Sequence, residues 1–511
     1  MLAGVLLAAA PAPGTVADEP GGRVRVAAVR LEIVLALDGG RPVTWRACRP
    51  SCLRADAESG TSMRFTGEGD APQPRLVLHG PGGPIDLDRL RFTVDRAGDG
   101  TAPRVTLRAD LPVDGVRLEE AFAVSADGYE TTLTVRLVGP GAAALAATAR
   151  PTLEVTPGRD LAPPAAAGFA AMLERVGRVT VAGGAVHALP DQPGAGVALR
   201  AGEWAGVRGR FWAMLARPDG AAAALEPRPG PGFALVAVPA HAPAPTEWRY
   251  TIYAGPVERP PLGRVDPELE RLLLSGLWWW LRALALGLLA LLRALTAWIG
   301  HPGVAIIALA VSVKLLLLPL AAVAERLQER VNATQARLQP GLDAINAAHR
   351  GEERTRRTLA LYRELGVHPL YTLQSLAGFL IQIPVFIAVF DMLAEDIDLY
   401  RAPFLWIPDL SRPDALTALP ACVPFFGCAL NLLPFLMSGV SLATLLRFRS
   451  PVLTPALVRR QRRNLAAMTG LFFLLFYTFP AGMVLYWTST NAFQLVSQEM
   501  RRWRRTRGAP T

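Results

Sequence analysis

The only lysine in this 511-residue chain, Lys314, lies inside an apolar run that extends from His301 through Val311-Ser-Val-Lys314-Leu-Leu-Leu-Leu-Pro319 to Ala324, with no acidic residue nearby. Apart from it, the chain's 53 basic residues are all arginine. An ammonium at the centre of a membrane helix costs about 2.5–3.5 kcal/mol. It must therefore snorkel to an interface or face water inside the protein, where an unpaired cation attracts an anion. Other polar side chains sit in apolar surroundings too. Gln382 lies two residues before Pro384, and Tyr486, Trp487, Thr490 and Asn491 recur near one face of a late apolar segment. Polar groups in such places glue helices together or line a cavity, and Tyr or Trp near an interface also anchors a span. The chemistry on offer is non-covalent capture of a charged or polar group.

Other chemistries find little support. The six histidines show no metal-ligand spacing with one another or with the four cysteines, so neither a metal site nor a cofactor is expected. Cys48 and Cys52 can pair if their Arg/Pro/Ser turn faces an oxidising compartment. Cys422 and Cys428 sit in an apolar segment and read as small core residues. The net charge of +10 comes partly from arginines that flank apolar segments. Membrane topology explains these, and no DNA partner is expected.

The elements that must hold these residues divide the chain. Residues 1–20 hold a short apolar stretch that reads as a signal-like segment or a truncated first transmembrane segment. Residues 22–260 alternate with period two. Examples are Leu133, Val135 and Leu137 within Thr132–Leu137, the hairpin from Leu31–Leu37 through Asp38-Gly-Gly40 to Trp45, and strands at Arg104–Ala109, Val116–Val124, Arg210–Leu215, Phe233–Val238 and Trp248–Tyr253. Many short strands with Gly/Pro turns and no βαβ rhythm predict an exported antiparallel β-sandwich. Residues 266–300, with Trp278–Trp280, Arg282, Arg293 and Trp298, predict an amphipathic helix on the outer membrane surface, with a tilted extra span as the alternative. Residues 301–500 hold five apolar spans, near 303–322, 371–394, 417–440, 464–480 and 481–499, and 501–511 form a basic tail.

Arginine counts orient the spans. Eight lie in 323–368, six in 447–463 and five in 501–507, while 395–415 is rich in Asp and Glu. The arginine-rich segments belong in the cytoplasm and the acidic loop outside. Within 323–368, Leu327, Val331, Leu338, Leu342 and Ile345 recur at helical spacing. They predict a cytoplasmic helical hairpin broken at Pro340 and turning at His349–Glu352.

Five motifs in one order give the membrane half, about 266–505, a resemblance to the YidC/Oxa1/Alb3 family of membrane protein insertases, in its Gram-negative form. They are Val311–Leu320 around Lys314; Leu338-Gln-Pro340 with His368-Pro-Leu370; Leu380-Ile-Gln382-Ile-Pro384-Val-Phe386; Arg401-Ala-Pro-Phe404-Leu-Trp406-Ile-Pro-Asp409-Leu-Ser411; and Phe479-Pro480-Ala-Gly482 through Trp487 with Asn491 and Gln494. Trp212–Leu215 and Tyr253–Pro256 are similar to the family's periplasmic domain, which implies a β-super-sandwich. The resemblance implies an inner-membrane insertase and chaperone, not an enzyme, acting alone or with the Sec translocon on nascent membrane proteins. A positively charged groove open to cytoplasm and lipid would do this work, lined by Lys314, Gln382, Tyr486, Trp487, Thr490 and Asn491. The arginines of 350–363 and the tail could meet ribosomal RNA or anionic membrane lipids. Lysine stands where the family usually has arginine, which keeps the charge and loses the bidentate fork. Ala310 replaces an often polar residue one turn earlier. A secondary transporter or channel for an anionic solute is the main alternative. An exported glycan- or partner-binding module anchored by the spans ranks behind it.

Overall fold

The structure, a computed structural model, describes residues 14–52, 61–66, 74–80, 83–97, 102–113, 115–148, 150–156, 161, 173–174, 176–190, 196–220, 223–228, 232–237, 246–368, 377–424, 426–447 and 455–507. Most of the signal-like segment, Val238 and Pro369-Leu370 of the sequence motifs lie outside these. The chain divides into two compact units at Ser275/Gly276.

The first unit is antiparallel β. Its nine-stranded sheet runs, in hydrogen-bonded order, Ala185–Leu189, Gly177–Ala182, Trp204–Arg208, Trp212–Asp219, Glu247–Pro256, Glu130–Val138, Arg117–Val124, Arg104–Asp110, Thr93–Ala97. A six-stranded sheet (Val197–Leu199, Ala223–Pro227, Phe233–Ala237, Arg150–Val155, Arg75–Gly80, Gly83–Ile85) and a five-stranded one (the meander from Thr15–Glu19 to Thr61–Thr66) complete it. The period-two pattern does what it should, because successive side chains point to opposite faces. Val105, Phe122, Leu133 and Tyr250 form one cross-strand row on the buried face. The next row is Leu107, Glu120, Val135 and Trp248. Phe65 of the five-stranded sheet packs edge-on to Trp212, 6.4 Å between ring centres. Cys48 and Cys52 form a disulfide, and the Tyr129 hydroxyl donates to the Cys48 carbonyl at 3.1 Å, pinning the cystine turn to the large sheet. Two short helices, α1 (Ala142–Thr148) and α2 (Arg259–Val265), flank the strands.

The second unit is helical. Its elements are α3 (Trp279–Ile299), α4 (Pro302–Leu316), α5 (Leu318–Ala348), α6 (Gly351–Glu364), α7 (Ala377–Glu395), α8 (Leu433–Leu446), α9 (Pro455–Phe476) and α10 (Ala481–Arg507). In α3, Leu281, Ala285, Leu288, Leu289 and Leu292 form the buried stripe, while Trp279 and Trp298 are 83% and 85% exposed. By length and composition α3 could cross a membrane, as could α4 and α5 taken together. Gly300, at φ +82°, closes α3 in the left-handed conformation that glycine adopts at no steric cost, and Pro302 opens α4. The α4/α5 pair bends by 58° at Leu317. Pro319 cannot donate to the Leu315 carbonyl and its ring crowds it, which accounts for the break.

Three sequence expectations need correction. Pro340 does not break the 323–368 segment, since α5 runs through it to Ala348. Its ring is exposed, so water can satisfy the Ala336 carbonyl that it leaves without a donor. The hairpin turns at His349-Arg350, within the expected His349–Glu352, and a Cβ on Gly341 would stand 2.8 Å from a Leu361 methyl, so α5 and α6 touch there. The apolar stretch 417–440 is not one helix. Thr417–Val423 and Gly427–Leu430 form a β-hairpin, and only Leu433–Leu446 is helical. Cys422 and Cys428 are not separate core residues, because a disulfide joins them across this hairpin.

Candidate functional site

The site begins at the loop that follows α7. Asp409 Oδ1 accepts from the Arg401 N–H (3.0 Å), the Ser411 N–H (2.8 Å) and the Ser411 hydroxyl (2.7 Å). Asp414 Oδ2 accepts from Trp406 Nε1 (3.1 Å) and from the Leu432 and Leu433 N–H groups (2.8 and 2.9 Å) at the start of α8. Both carboxylates are buried. The Arg412 and Leu410 carbonyls accept from the Ala481 and Gly482 N–H groups, which start α10 (2.7 and 2.8 Å). Phe404 of the same loop lies where a side chain on Gly303 of α4 would have to be. One loop thus anchors the N-termini of α4, α8 and α10 and the C-terminus of α7. Arg293 of α3 pairs with Asp396 (3.8 Å) and Asp398 (3.3 Å) beside it.

Two consequences are testable. Asp414→Ala leaves three donors without their acceptor and is expected to cost about 2–4 kcal/mol, with Asp414→Asn milder. Thermal unfolding of the purified protein in detergent checks this. Gly303→Val places carbon inside the Phe404 ring. It is expected to cost about 3 kcal/mol, and adding Phe404→Ala should recover part of the loss in the same assay.

From the loop, the helices carry the polar residues inward. In α4 the packed stripe is Ala305, Ile306, Leu309, Ala310 and Val313, and Lys314 follows at its edge, half-buried in the last turn. A helix C-terminus favours a cation. Among the described residues Lys314 has neither an ion-pair partner nor a hydrogen bond. Ala310 is fully buried, so the helices close against one another one turn above the cation. A Cβ on Gly482 of α10 would stand 3.4 Å from Ile306 of α4. Both helices leave the same loop, so eight further residues along each bring Lys314 level with Thr490 and Asn491. At about 1.5 Å per residue, Lys314, Asn491 and Gln382 lie roughly 18, 15 and 20 Å from the loop ends of their helices.

The sequence-derived residues therefore fall into two groups. Lys314, Gln382, Thr490 and Asn491 share a depth. Asn491 Nδ2 donates to Ser441 Oγ of α8 (3.0 Å), and the buried Thr490 hydroxyl donates to the Trp487 carbonyl (2.8 Å). Tyr486 is buried in the packing of α10. Trp487 meets Phe386 of α7 at 5.2 Å and Phe472 and Phe476 of α9 at 5.5 and 5.6 Å. These aromatics form a packed layer directly outward of the polar level, since Gln382 is one turn inward of Phe386 and Asn491 one turn inward of Trp487.

Sequence reasoning missed the serines of α8. Ser441 accepts from Asn491, and Ser438, one turn outward on the same face, has a buried hydroxyl without a partner among the described residues. It also missed the Asp409/Asp414 anchors. The spacing of Asp414 to the next apolar segment gives no signal, because the intervening hairpin has the apolarity of a helix.

A family model described as the 60Kd inner membrane protein matches residues 294–506. The membrane protein insertase YidC of Cupriavidus metallidurans is 34% identical over 250 residues, which cover 48% of this chain and 40% of that protein. That of Pseudomonas aeruginosa is 31% identical over 299 residues, covering 58% and 46%. The aligned part thus spans less than half the length of these relatives. A crystal structure of YidC from Thermotoga maritima aligns over 95% of this chain and 99% of that one, at 12% identity and a TM-score of 0.32.

Proposed function

We propose, from the match of residues 294–506 to the family model described as the 60Kd inner membrane protein, that this chain is a membrane protein insertase and chaperone of the inner membrane. The observation that carries the reading is Lys314: a half-buried cation without a partner among the described residues, at one depth with Gln382, Thr490 and Asn491. On the loop side an aromatic layer and a hydrogen-bonded loop close the helices above it. A polar segment of a nascent membrane protein would enter from the opposite, cytoplasmic side. Its carboxylates would be drawn to the ammonium, an attraction of about 2 kcal/mol at 8 Å for an effective dielectric constant of 20. Polar side chains would replace part of its lost hydration. No covalent step is needed. The polar level lies roughly 15–20 Å from the loop, so the segment would cross only part of the hydrocarbon before release.

The topology that fits this use has α4, α7, α8, α9 and α10 crossing the bilayer, with the β domain and the 395–430 region on the periplasmic side. The α5–α6 hairpin and the basic C-terminal end would be cytoplasmic. Two disulfides support the first placement, since such bonds persist in oxidising compartments: Cys48–Cys52 in the β domain and Cys422–Cys428 beside the loop. The arginine bias of the other segments supports the second. The α3 helix then has both ends on the outer side and lies along the surface, tied to the α7 end by Arg293. Nascent membrane proteins and lipids are the partners this geometry serves. Sec components and the ribosome are further partners in the same reading.

The test is insertion of a small single-span protein with an acidic translocated tail into proteoliposomes holding the purified chain. Protease protection of the tail above that of empty liposomes is expected. Absence of protection together with uptake of an anionic solute would replace this reading with a transporter.

A further inference from the structure

Between Asp414 and Arg447 the chain carries no charged residue. Were this 32-residue stretch one helix, it would be about 48 Å long, far more than a hydrocarbon core of about 30 Å. The structure resolves the excess by folding residues 417–430 into the hairpin and leaving α8 only 14 residues, about 21 Å. The hairpin is apolar and outward-facing. Ala418, Pro420, Ala421, Cys422, Val423, Pro424 and Cys428 are exposed, Val423 by 45%.

Its base is fixed to the helices. Tyr477 takes the Asn431 N–H on its hydroxyl, which in turn donates to the Ala429 carbonyl (both 3.3 Å), and Phe426 packs on the Tyr477 ring at 4.8 Å. An isolated two-stranded hairpin is marginal in water. Here the Cys422–Cys428 bridge closes the far end of the strands.

We propose that this disulfide-closed hairpin is a lipid-contacting element that lies in the outer interfacial layer of the bilayer, at the N-terminal end of α8. Lipid is the occupant that the structure favours. The hairpin runs through Asn431-Leu432 directly into a helix too short to cross alone, and no charge separates the two. A hydrophilic protein partner would meet no charge on it, and among its described exposed side chains the Thr417 hydroxyl is the one hydrogen-bonding group. Backbone geometry fixes the depth: open strand edges cannot be satisfied within hydrocarbon, so the hairpin rests among headgroups and upper acyl carbons and does not cross.

The experiment places a fluorescent amino acid at Val423, and separately at the exposed Leu436 of α8, in the full chain reconstituted in phosphatidylcholine/phosphatidylglycerol liposomes. Quenching is read from lipids bearing nitroxide at the headgroup, carbon 5 or carbon 12, and from aqueous iodide. At 423, headgroup and carbon-5 probes are expected to quench at least twofold more than either iodide or carbon 12. At 436, carbon 5 or carbon 12 should dominate. Dominant iodide quenching at 423 with lipid quenching at 436 would overturn the hairpin proposal and leave the membrane placement of α8 intact. Iodide quenching at both positions would overturn that placement, and with it the hairpin proposal.

Discussion

Lys314→Leu is expected to lower insertion of a substrate with an acidic translocated segment by about tenfold or more, while Lys314→Arg keeps wild-type activity or exceeds it. An attraction of roughly 2 kcal/mol corresponds to about thirtyfold in a rate or partition constant. Leucine removes it without leaving a buried carboxylate unpaired, since no described residue pairs with Lys314. Thermal stability in detergent should therefore hold or rise, which separates a groove role from a structural one. Arginine retains the charge and adds a bidentate fork for carboxylates. Two controls sharpen the result. A substrate whose translocated segment lacks Asp and Glu should be nearly indifferent to the leucine change. Raising salt should weaken insertion of the acidic substrate by wild type, because a water-accessible charge is screened. Equal insertion of the acidic substrate by wild type and Lys314→Leu would mean that the ammonium merely snorkels, and the groove reading would fail at its centre.

The same contrast between polar signals and packing explains what the sequence could disclose. Period-two alternation in Arg117–Val124 and Glu130–Val138 is a direct imprint of sheet geometry, so those strands were legible, and their register puts Leu118, Phe122, Leu133 and Leu137 on the buried side. Lys314 was legible because a charge in an apolar run has few explanations. The 417–440 stretch was not, since hydropathy alone cannot distinguish a helix from a folded-back hairpin of equal apolarity. Pro420, Pro424 and Gly427 were the available warning, as was the six-residue separation of Cys422 and Cys428. The Asp414 anchor was hidden for the same reason. Its partners Leu432 and Leu433 are helix-start amides only if the helix begins there. Pro340 misleads because a proline breaks a buried helix more readily than one whose freed carbonyl meets water.

Glu120 carries the largest stability effect expected in the β domain. It follows Leu118 and precedes Phe122 on the inner face of its strand, between Leu107 and Val135 of the neighbouring strands. It is 2% exposed and no arginine pairs with it among the described residues. Burial pushes its carboxyl up to about 8, from 4.5 in the ordinary state. Below pH 4.5 both folded and unfolded chains hold the proton, and nothing is lost. As pH rises toward 8 the unfolded chain releases it while the folded one keeps it, so stability falls. Above 8 both are ionised and the loss levels off. A difference of that size corresponds to about 5 kcal/mol as an upper figure. Wild-type β domain within the full chain should therefore melt at a lower temperature at pH 8 than at pH 5. In Glu120→Leu, which fills a similar volume with no ionisable group, this component of the pH dependence should disappear and the midpoint at pH 8 should rise. Glu120→Gln should flatten the profile likewise but gain less, because a buried amide still lacks a partner. A wild-type midpoint that rises between pH 5 and 8 by the same amount as in Glu120→Leu would show that the carboxyl is ionised and solvated in the fold. The inner row Leu107–Glu120–Val135 would then have to be open to water.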